Sequence, residues 1–285
     1  NFVSEINFTS NVFKNYSKLI KNNNVLQYGE NLIANLNNTV NLKFDKTYKL
    51  ENFNFKSNGD LKKANFKFKK EIKFDYFKES FKDIYLKDSE IFLNVSSKEK
   101  IAKIIGKYSL NNKLFSSFSL NNQNLGNTSI FDVELKFLPK FYLDLINYEK
   151  KKGIPADLKL NLIKKDKNLE ISELKYQEKN NLIYLKNLKF KKNNFDTFKS
   201  LSVKTYLNKK KNNDFNITFE KDLKIKGALF DGTNLNKFFN KNTNKKSNIY
   251  INTNLAVELK KIKVPLSESL NDFILIEKIE KGKFS

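Results

Sequence analysis

Cysteine, histidine, methionine and tryptophan are all missing from this 285-residue chain. Arginine is missing too, so each of the 54 basic side chains is a lysine. Every absence removes a chemistry. Without His or Cys there is no zinc site of the usual nitrogen and sulfur kind. There is likewise no Cys nucleophile, no Ser-His-Asp triad and no imidazole acid–base. Catalysis would have to run on Asp, Glu, Lys, Tyr, Ser or Thr alone. Zero cysteine excludes disulfides and fits either redox compartment. No run of roughly 18 or more apolar residues reads as a membrane-spanning helix. No charged stretch followed by an apolar one reads as a signal peptide. The first residue is not Met, and a new segment starts at Lys283, so the chain reads as a piece of something longer. Any membrane anchor or targeting signal is expected outside it.

With 39% hydrophobic residues the chain can bury sizeable apolar surface, which argues against global disorder. Lys, Asn, Phe, Ile and Leu dominate, as the codons of an AT-rich genome would supply. The 54 basic residues against 31 acidic give a net charge of +23, which raises the question of nucleic acid. Arginine, the preferred bidentate reader of phosphate and guanine, is absent. The lysines are also spread along every strand and turn. The charge therefore reads as a solvated exterior and no nucleic-acid partner is expected, while attraction to anionic lipid headgroups stays compatible.

The dominant pattern is alternation, the period-2 mark of strands with one buried face. Phe131, Val133, Leu135 and Phe137 alternate with polar residues, as do Leu158, Leu160 and Leu162. Further on come Phe215, Ile217 and Phe219, then Ile249, Ile251, Leu255, Val257 and Leu259. The same period marks Val40, Leu42 and Phe44; Ala64, Phe66 and Phe68; Ile72, Phe74 and Tyr76; Ile91, Leu93 and Val95; and Leu201 with Val203. Clusters at 57–60, 164–168, 177–181, 191–194 and 208–214 carry Asn, Asp or Gly and read as hairpin loops. Pro139, Pro155 and Pro265 fall at strand borders, where a missing N–H does least harm. Helical spacing is expected at Val12 to Ile20, at Ile101, Ile104, Ile105 and Tyr108, and over 233–240. Residues 48–70 and 183–205 also echo one another, a weak internal repeat.

Strands this numerous, apolar on one face, need a cover, because each buried large side chain stabilises by roughly 1.5–3 kcal/mol. A second sheet would make a sandwich. A ligand with long apolar chains would make a lipid groove. The helices are too few to roof the whole sheet.

One stretch resembles an enzyme motif. "FDGT" (230–233) matches the end of the D-x-D-G-T signature of phosphoryl-transferring hydrolases. The nucleophilic Asp of that signature falls on Leu229, which cannot form an aspartyl phosphate. The flanking alternation of Leu223, Ile225, Gly227 and Leu229 is also unlike the fully buried parallel strand of those enzymes. Asp231 and Thr233 read instead as N-cap residues of a short helix carrying Leu235, Phe238 and Phe239.

A strand closing in Gly227 to Asp231, a short Leu/Phe helix, and the strands Ile249–Leu259 and Phe273–Ile276 together resemble AsmA-like proteins. The resemblance covers roughly 115–285, and "YEKKKGIPADLKLNL" and the strands after it look like that family's paired-strand ladder. AsmA-like proteins belong with the bridge-like, repeating β-groove lipid-transfer proteins of diderm bacteria. The resemblance implies a mainly β fold, a long antiparallel meander curled into an open half-pipe groove with a few short amphipathic helices. Residues 1–110 would form a mixed helix and strand segment, either part of the groove or a cap. Residues 111–285 would be groove proper, continuing beyond this piece. The implied function is non-enzymatic phospholipid transport through the periplasm for outer-membrane homeostasis, by a monomeric rod anchored in the inner membrane. Its partners would be phospholipid acyl chains and the membranes at either end, with no cofactor and no metal. Acyl chains are expected on Phe131, Val133, Leu135, Phe137, Leu158, Leu160, Leu162, Phe215, Ile217, Phe219, Ile225, Ile249, Ile251, Leu255, Val257 and Leu259. The alternative is a structural or adhesin-type β-sandwich of an envelope protein, without lipid cargo.

Overall fold

The computed structural model describes residues 1–9, 28–74, 79–235, 252–265, 269–280 and 283–284. Alternating sequence becomes strand almost throughout, so the protein is mainly β. It divides into two compact units, Asn1–Leu138 and Pro139–Ser285.

The first unit is a meander of β1 (Phe2–Thr9), β2 (Gly29–Phe44), β3 (Leu50–Ile72), β4 (Phe81–Ser96), β5 (Glu99–Leu110), β6 (Ser116–Leu125) and β7 (Thr128–Phe137). Each strand pairs antiparallel with the next. Its core centres on Ala34, Leu61 and Ala64, with Leu32, Leu36, Phe66, Leu86, Ile91 and Ile104 packed around them. Small residues let the backbones close up. At Gly59 a Cβ would lie 2.0 Å from the carbonyl oxygen of Asn35, an overlap no side chain survives.

That close approach explains one correction. The cluster at 57–60 is not a hairpin loop but the middle of β3, where Gly59 sits between Leu36 and Ile91. A strand running from Leu50 to Ile72 also removes the internal repeat, because 183–205 folds as a hairpin. The Ile101 to Tyr108 stripe is strand β5 rather than helix. Ile104 joins the core while Ile105 is 57% exposed, a period-2 split that β-branched side chains favour. The expected amphipathic helices are not met among the described residues. Among the described residues the only complete helical element is a 3-10 turn at Asp144–Ile146. The stripe at 12–20 lies outside the described residues, and of 233–240 only 233–235 are described.

The second unit opens with a separate two-stranded hairpin, β8 (Phe141–Leu143) and β9 (Tyr148–Lys150), joined by the 3-10 turn. Its main sheet follows as β10 (Ala156–Lys165), β11 (Asn168–Glu178), β12 (Asn181–Lys191), β13 (Asn194–Leu207), β14 (Lys210–Phe219), β15 (Leu223–Asp231), β16 (Thr253–Lys263), β17 (Leu270–Glu280) and β18 (Lys283–Phe284). Two-residue turns join β10 through β14. Lys192 and Asn193, and Asn208 and Lys209, all take positive φ, the signature of type I′ hairpins that match strand twist. The loop expected at 208–214 is therefore only two residues long, and Asn212 and Asn213 are strand residues.

The sheet is mixed, not wholly antiparallel. β15 and β16 run parallel, with Ile225 opposite Val257 and Gly227 opposite Leu259. Parallel neighbours need a crossover, and residues 232–252 between the two strands supply its length. The stretch from Gly227 to Asp231 thus marks the point where the meander breaks its own pattern.

Candidate functional site

Register alone assembles an apolar face on the second unit. Opposed residues on a sheet share a face, and the pairings run across eight strands. One row is Leu158, Tyr176, Ile183, Val203, Phe215, Gly227, Leu259 and Phe273. The next, two residues along each strand, is Leu160, Leu174, Leu185, Leu201, Ile217, Ile225, Val257 and Leu275. This second row is wholly aliphatic, yet only Val257 in it is buried; the other seven remain partly exposed. The opposite face is charged, with ion pairs such as Lys226–Glu258 at 2.8 Å and Lys189–Glu170 at 3.7 Å. Such exposed pairs add little stability and mark that face as the wet one.

The two ends of the apolar face differ. At the end where β10 meets β11, it finishes in aromatic rings. Phe195 and Phe219 stack at 6.0 Å with 4° between planes, and Phe198 meets Phe219 edge-on at 5.7 Å. Phe190 meets Phe195 edge-on at 6.3 Å.

At the other end the β8–β9 hairpin lies against the sheet and is tied to it by polar side chains. Asn213 Nδ2 donates to the Ile146 carbonyl at 2.7 Å and to Thr205 Oγ1 at 2.8 Å. Asn212 Nδ2 donates to the Asn147 carbonyl at 3.0 Å, and Thr205 Oγ1 donates to Asn212 Oδ1 at 2.8 Å. Asp231 completes the knot. Its Oδ2 accepts from Asn147 at 3.2 Å and Asn212 at 3.4 Å, its Oδ1 from Thr233 Oγ1 at 2.7 Å, and its own N–H donates to Asn213 Oδ1 at 2.9 Å. All four of Thr205, Asn212, Asn213 and Asp231 are buried. Buried polar groups persist only when paired in this way.

Beside the knot, the Tyr148 and Tyr176 hydroxyls lie 2.7 Å apart and Glu178 Oε2 lies 2.5 and 3.0 Å from them, the two phenol protons serving these three contacts. Phe141 packs edge-on to both rings. Burial, then the Glu178 acceptor, pushes the Tyr148 phenol well up, and burial, then Tyr148, does the same to Tyr176. Lys150 is fully buried, donating to the Lys151 and Ile154 carbonyls at 3.0 and 2.6 Å. Burial pulls its ammonium pKa down, with Glu178 opposing.

Of the residues expected to line a site, Leu158, Leu160, Leu162, Phe215, Ile217, Phe219, Ile225, Leu255, Val257 and Leu259 sit on β10, β14, β15 and β16 of this sheet. The two rows above hold seven of them, and Leu162, Phe219 and Leu255 follow two residues farther along their strands. Phe131, Val133, Leu135 and Phe137 lie on β7 of the first unit, where the first three oppose Asn122, Leu120 and Phe118. Ile249 and Ile251 lie outside the described residues. Sequence reasoning missed the hairpin and its knot. Asn212 and Asn213 looked like loop residues, and Asp231 like a helix cap. Its bonds to the N–H and hydroxyl of Thr233 do fit a cap, but its ties to Asn147, Asn212 and Asn213 bridge elements that no local pattern connects. Among the described residues no group of His, Cys, Asp and Glu is placed to hold a metal, and no helix is long and apolar enough to cross a membrane. No family model, no curated protein and no solved structure matches the chain.

Proposed function

We propose that the chain carries phospholipid between membranes without catalysis, its acyl chains lying on the apolar face of the sheet. The observation that supports this is the central aliphatic row. Seven of its eight side chains stay partly exposed in the middle of a sheet. A contiguous apolar row that water still reaches marks a surface for a ligand or partner. The likeness of the Gly227 to Asp231 element to AsmA-like proteins extends the reading. It makes this a periplasmic segment of an inner-membrane-anchored protein, the sheet a groove, and outer-membrane lipid homeostasis the purpose. The work is done by a surface, and no acid, base or nucleophile is required.

Native mass spectrometry of the purified chain tests this directly. Co-purified phospholipid, released on collisional activation, is the expected result; a chain free of lipid after gentle purification sinks the reading. A structural or adhesin-type module is favoured by one observation, the burial of Leu255, Val257 and Leu259 on β16. It leaves the partly exposed row on β10 to β15 without a purpose.

A further inference from the structure

The apolar face of the second unit is different at its two ends, and the difference assigns an orientation to an amphiphile bound there. This deepens the lipid-carrier reading and rests on it. At one end the β8–β9 hairpin and its buried Asn–Asp knot occupy the sheet, held through Asn212, Asn213 and Asp231. That end has turn lysines of its own, Lys179 and Lys209, but there the apolar face is taken by the hairpin, whose buried, internally paired polar cluster would have to be broken to admit a charged headgroup.

The opposite end carries Lys164 near the close of β10 and a lysine in each of the next two turns there. Lys164 continues the apolar file of Leu158, Leu160 and Leu162 on β10 and stands opposite Leu169, which itself opposes Phe190. Lys192 sits in the turn between Phe190 and Phe195. Lys221 sits in the connection between Phe219 and Leu223, which are paired across β14 and β15. The backbones beneath are fixed. Asn193 N–H donates to the Lys167 carbonyl at 3.3 Å and Lys192 N–H to Asn168 Oδ1 at 3.3 Å, tying the first two turns together. Thr253 Oγ1 donates to the Lys221 carbonyl at 3.1 Å. All three lysine side chains are exposed. Of the carboxylates at this end, Asp196 pairs with Lys191 at 3.0 Å and Asp222 accepts from Asn254 at 2.9 Å, while Asp166 and Glu220 stand exposed in the same turns.

We infer that the lysine-bearing end, floored by Phe190, Phe195, Phe198 and Phe219, holds the headgroup of an anionic phospholipid. Lys164, Lys192 and Lys221 face its phosphate, and the acyl chains run over the aliphatic rows toward the hairpin. Apolar rows ending in aromatic rings and then in ammonium groups reproduce, in order, the chemistry of such a lipid from tail to headgroup.

The test incubates the chain with phosphatidylglycerol or phosphatidylcholine of identical acyl chains and counts retained lipid by native mass spectrometry. Wild type should retain the anionic lipid in preference, by about fivefold for each lysine that contacts it, and the preference should shrink at high salt. In the triple variant Lys164→Glu, Lys192→Glu, Lys221→Glu phosphatidylglycerol retention should fall far more than phosphatidylcholine retention, so that the preference vanishes, while the circular dichroism spectrum stays that of wild type. Equal retention of both lipids by wild type overturns the headgroup assignment and leaves the carrier reading standing. Equal loss of both lipids by a folded triple variant also overturns it. Retention of neither lipid by wild type overturns the carrier reading and the assignment together.

Discussion

Asn147 donates a hydrogen bond at 3.2 Å to the carboxylate of Asp231, 84 positions away in sequence. It joins the tip of the small hairpin to the last residue of β15, at the corner where the chain leaves the sheet for the crossover. Asp231 is 2% exposed and accepts from Asn147, Asn212 and Thr233, with Lys263 Nζ at 3.8 Å. Asp231→Ala would remove the acceptor they share, although Asn147 and Asn212 keep their bonds to Thr233 Oγ1 and the Asn147 carbonyl. A loss of about 3 kcal/mol in unfolding free energy is expected, because an orphaned buried donor costs its full desolvation. Asp231→Asn, which keeps one acceptor, should recover part of it. Urea unfolding of the three proteins measures this, and a shift in the Ala variant below about 0.5 kcal/mol, the level of an ordinary surface change, would contradict the anchoring role.

Gly227 provides the second prediction. It fills the row position between Phe215 and Leu259, and a Cβ there would lie 2.4 Å from the Asp214 carbonyl oxygen and 2.5 Å from Phe215 Cα. Both are backbone atoms, so the sheet itself would have to move. Gly227→Ala should cost about 1–3 kcal/mol as an overpacked site. Gly126→Ala, with φ +55 and nothing within 4 Å, should cost only about 1 kcal/mol, the backbone term alone. Equal effects at the two positions would show that strand crowding at Gly227 has been relieved.

Much of this fold was legible because alternation is a local property. Leu158, Leu160 and Leu162 declare a half-buried strand without any knowledge of their neighbours. The period-2 signal weakened where two readings overlap, as at Ile101 to Tyr108, where isoleucines at mixed spacing fit a helix stripe and a strand equally well. Gly59 was misread because a glycine next to Asn and Asp signals a turn, whereas here it admits the Asn35 backbone. The row partners Tyr176, Leu185 and Val203 follow from register, which depends on turn lengths fixed to the residue. The hairpin knot was hidden for a deeper reason. Asn147, Asn212, Asn213 and Asp231 are ordinary polar residues in a chain full of them, and only tertiary contact makes these four structural.

Alkaline stability should separate buried from exposed tyrosines among the 12 in the chain. Burial holds the Tyr108 phenol up to about 12, and the Tyr148 and Tyr176 phenols are raised as well. A phenol raised in the folded state contributes stability that is fully present below the ordinary value of about 10 and is lost as pH rises through the folded value. Lys150 acts oppositely. Its folded pKa is lowered, so stability gains from it as pH rises toward its ordinary value of about 10.4. The expected curve therefore holds or rises slightly up to about pH 10 and falls above it. Tyrosinate absorbance checks the assignment. Tyr108, Tyr148 and Tyr176 should ionise only as the fold gives way. Tyr148→Phe with Tyr176→Phe should flatten the fall above pH 10, and an unchanged fall would assign it to other groups.

Ile217 is the sharpest place to separate a lipid-bearing face from a structural one. It lies in the centre of the aliphatic row, between Leu201 and Ile225, and is only partly buried. Val257 in the same row is 7% exposed, so a charge there would destabilise the fold under either reading. Ile217→Asp puts its carboxylate where water already reaches part of the side chain, so the loss of stability should stay modest, about 1–2 kcal/mol. On a face that carries acyl chains the same carboxylate should abolish lipid retention, because hydrocarbon laid over it would leave the charge unsolvated. Thermal unfolding and native mass spectrometry on one preparation give both numbers. A folded Ile217→Asp protein stripped of lipid is the expected outcome. A variant that unfolds outright would mean that the row is roofed by protein, and one that keeps its lipid would move the binding surface elsewhere.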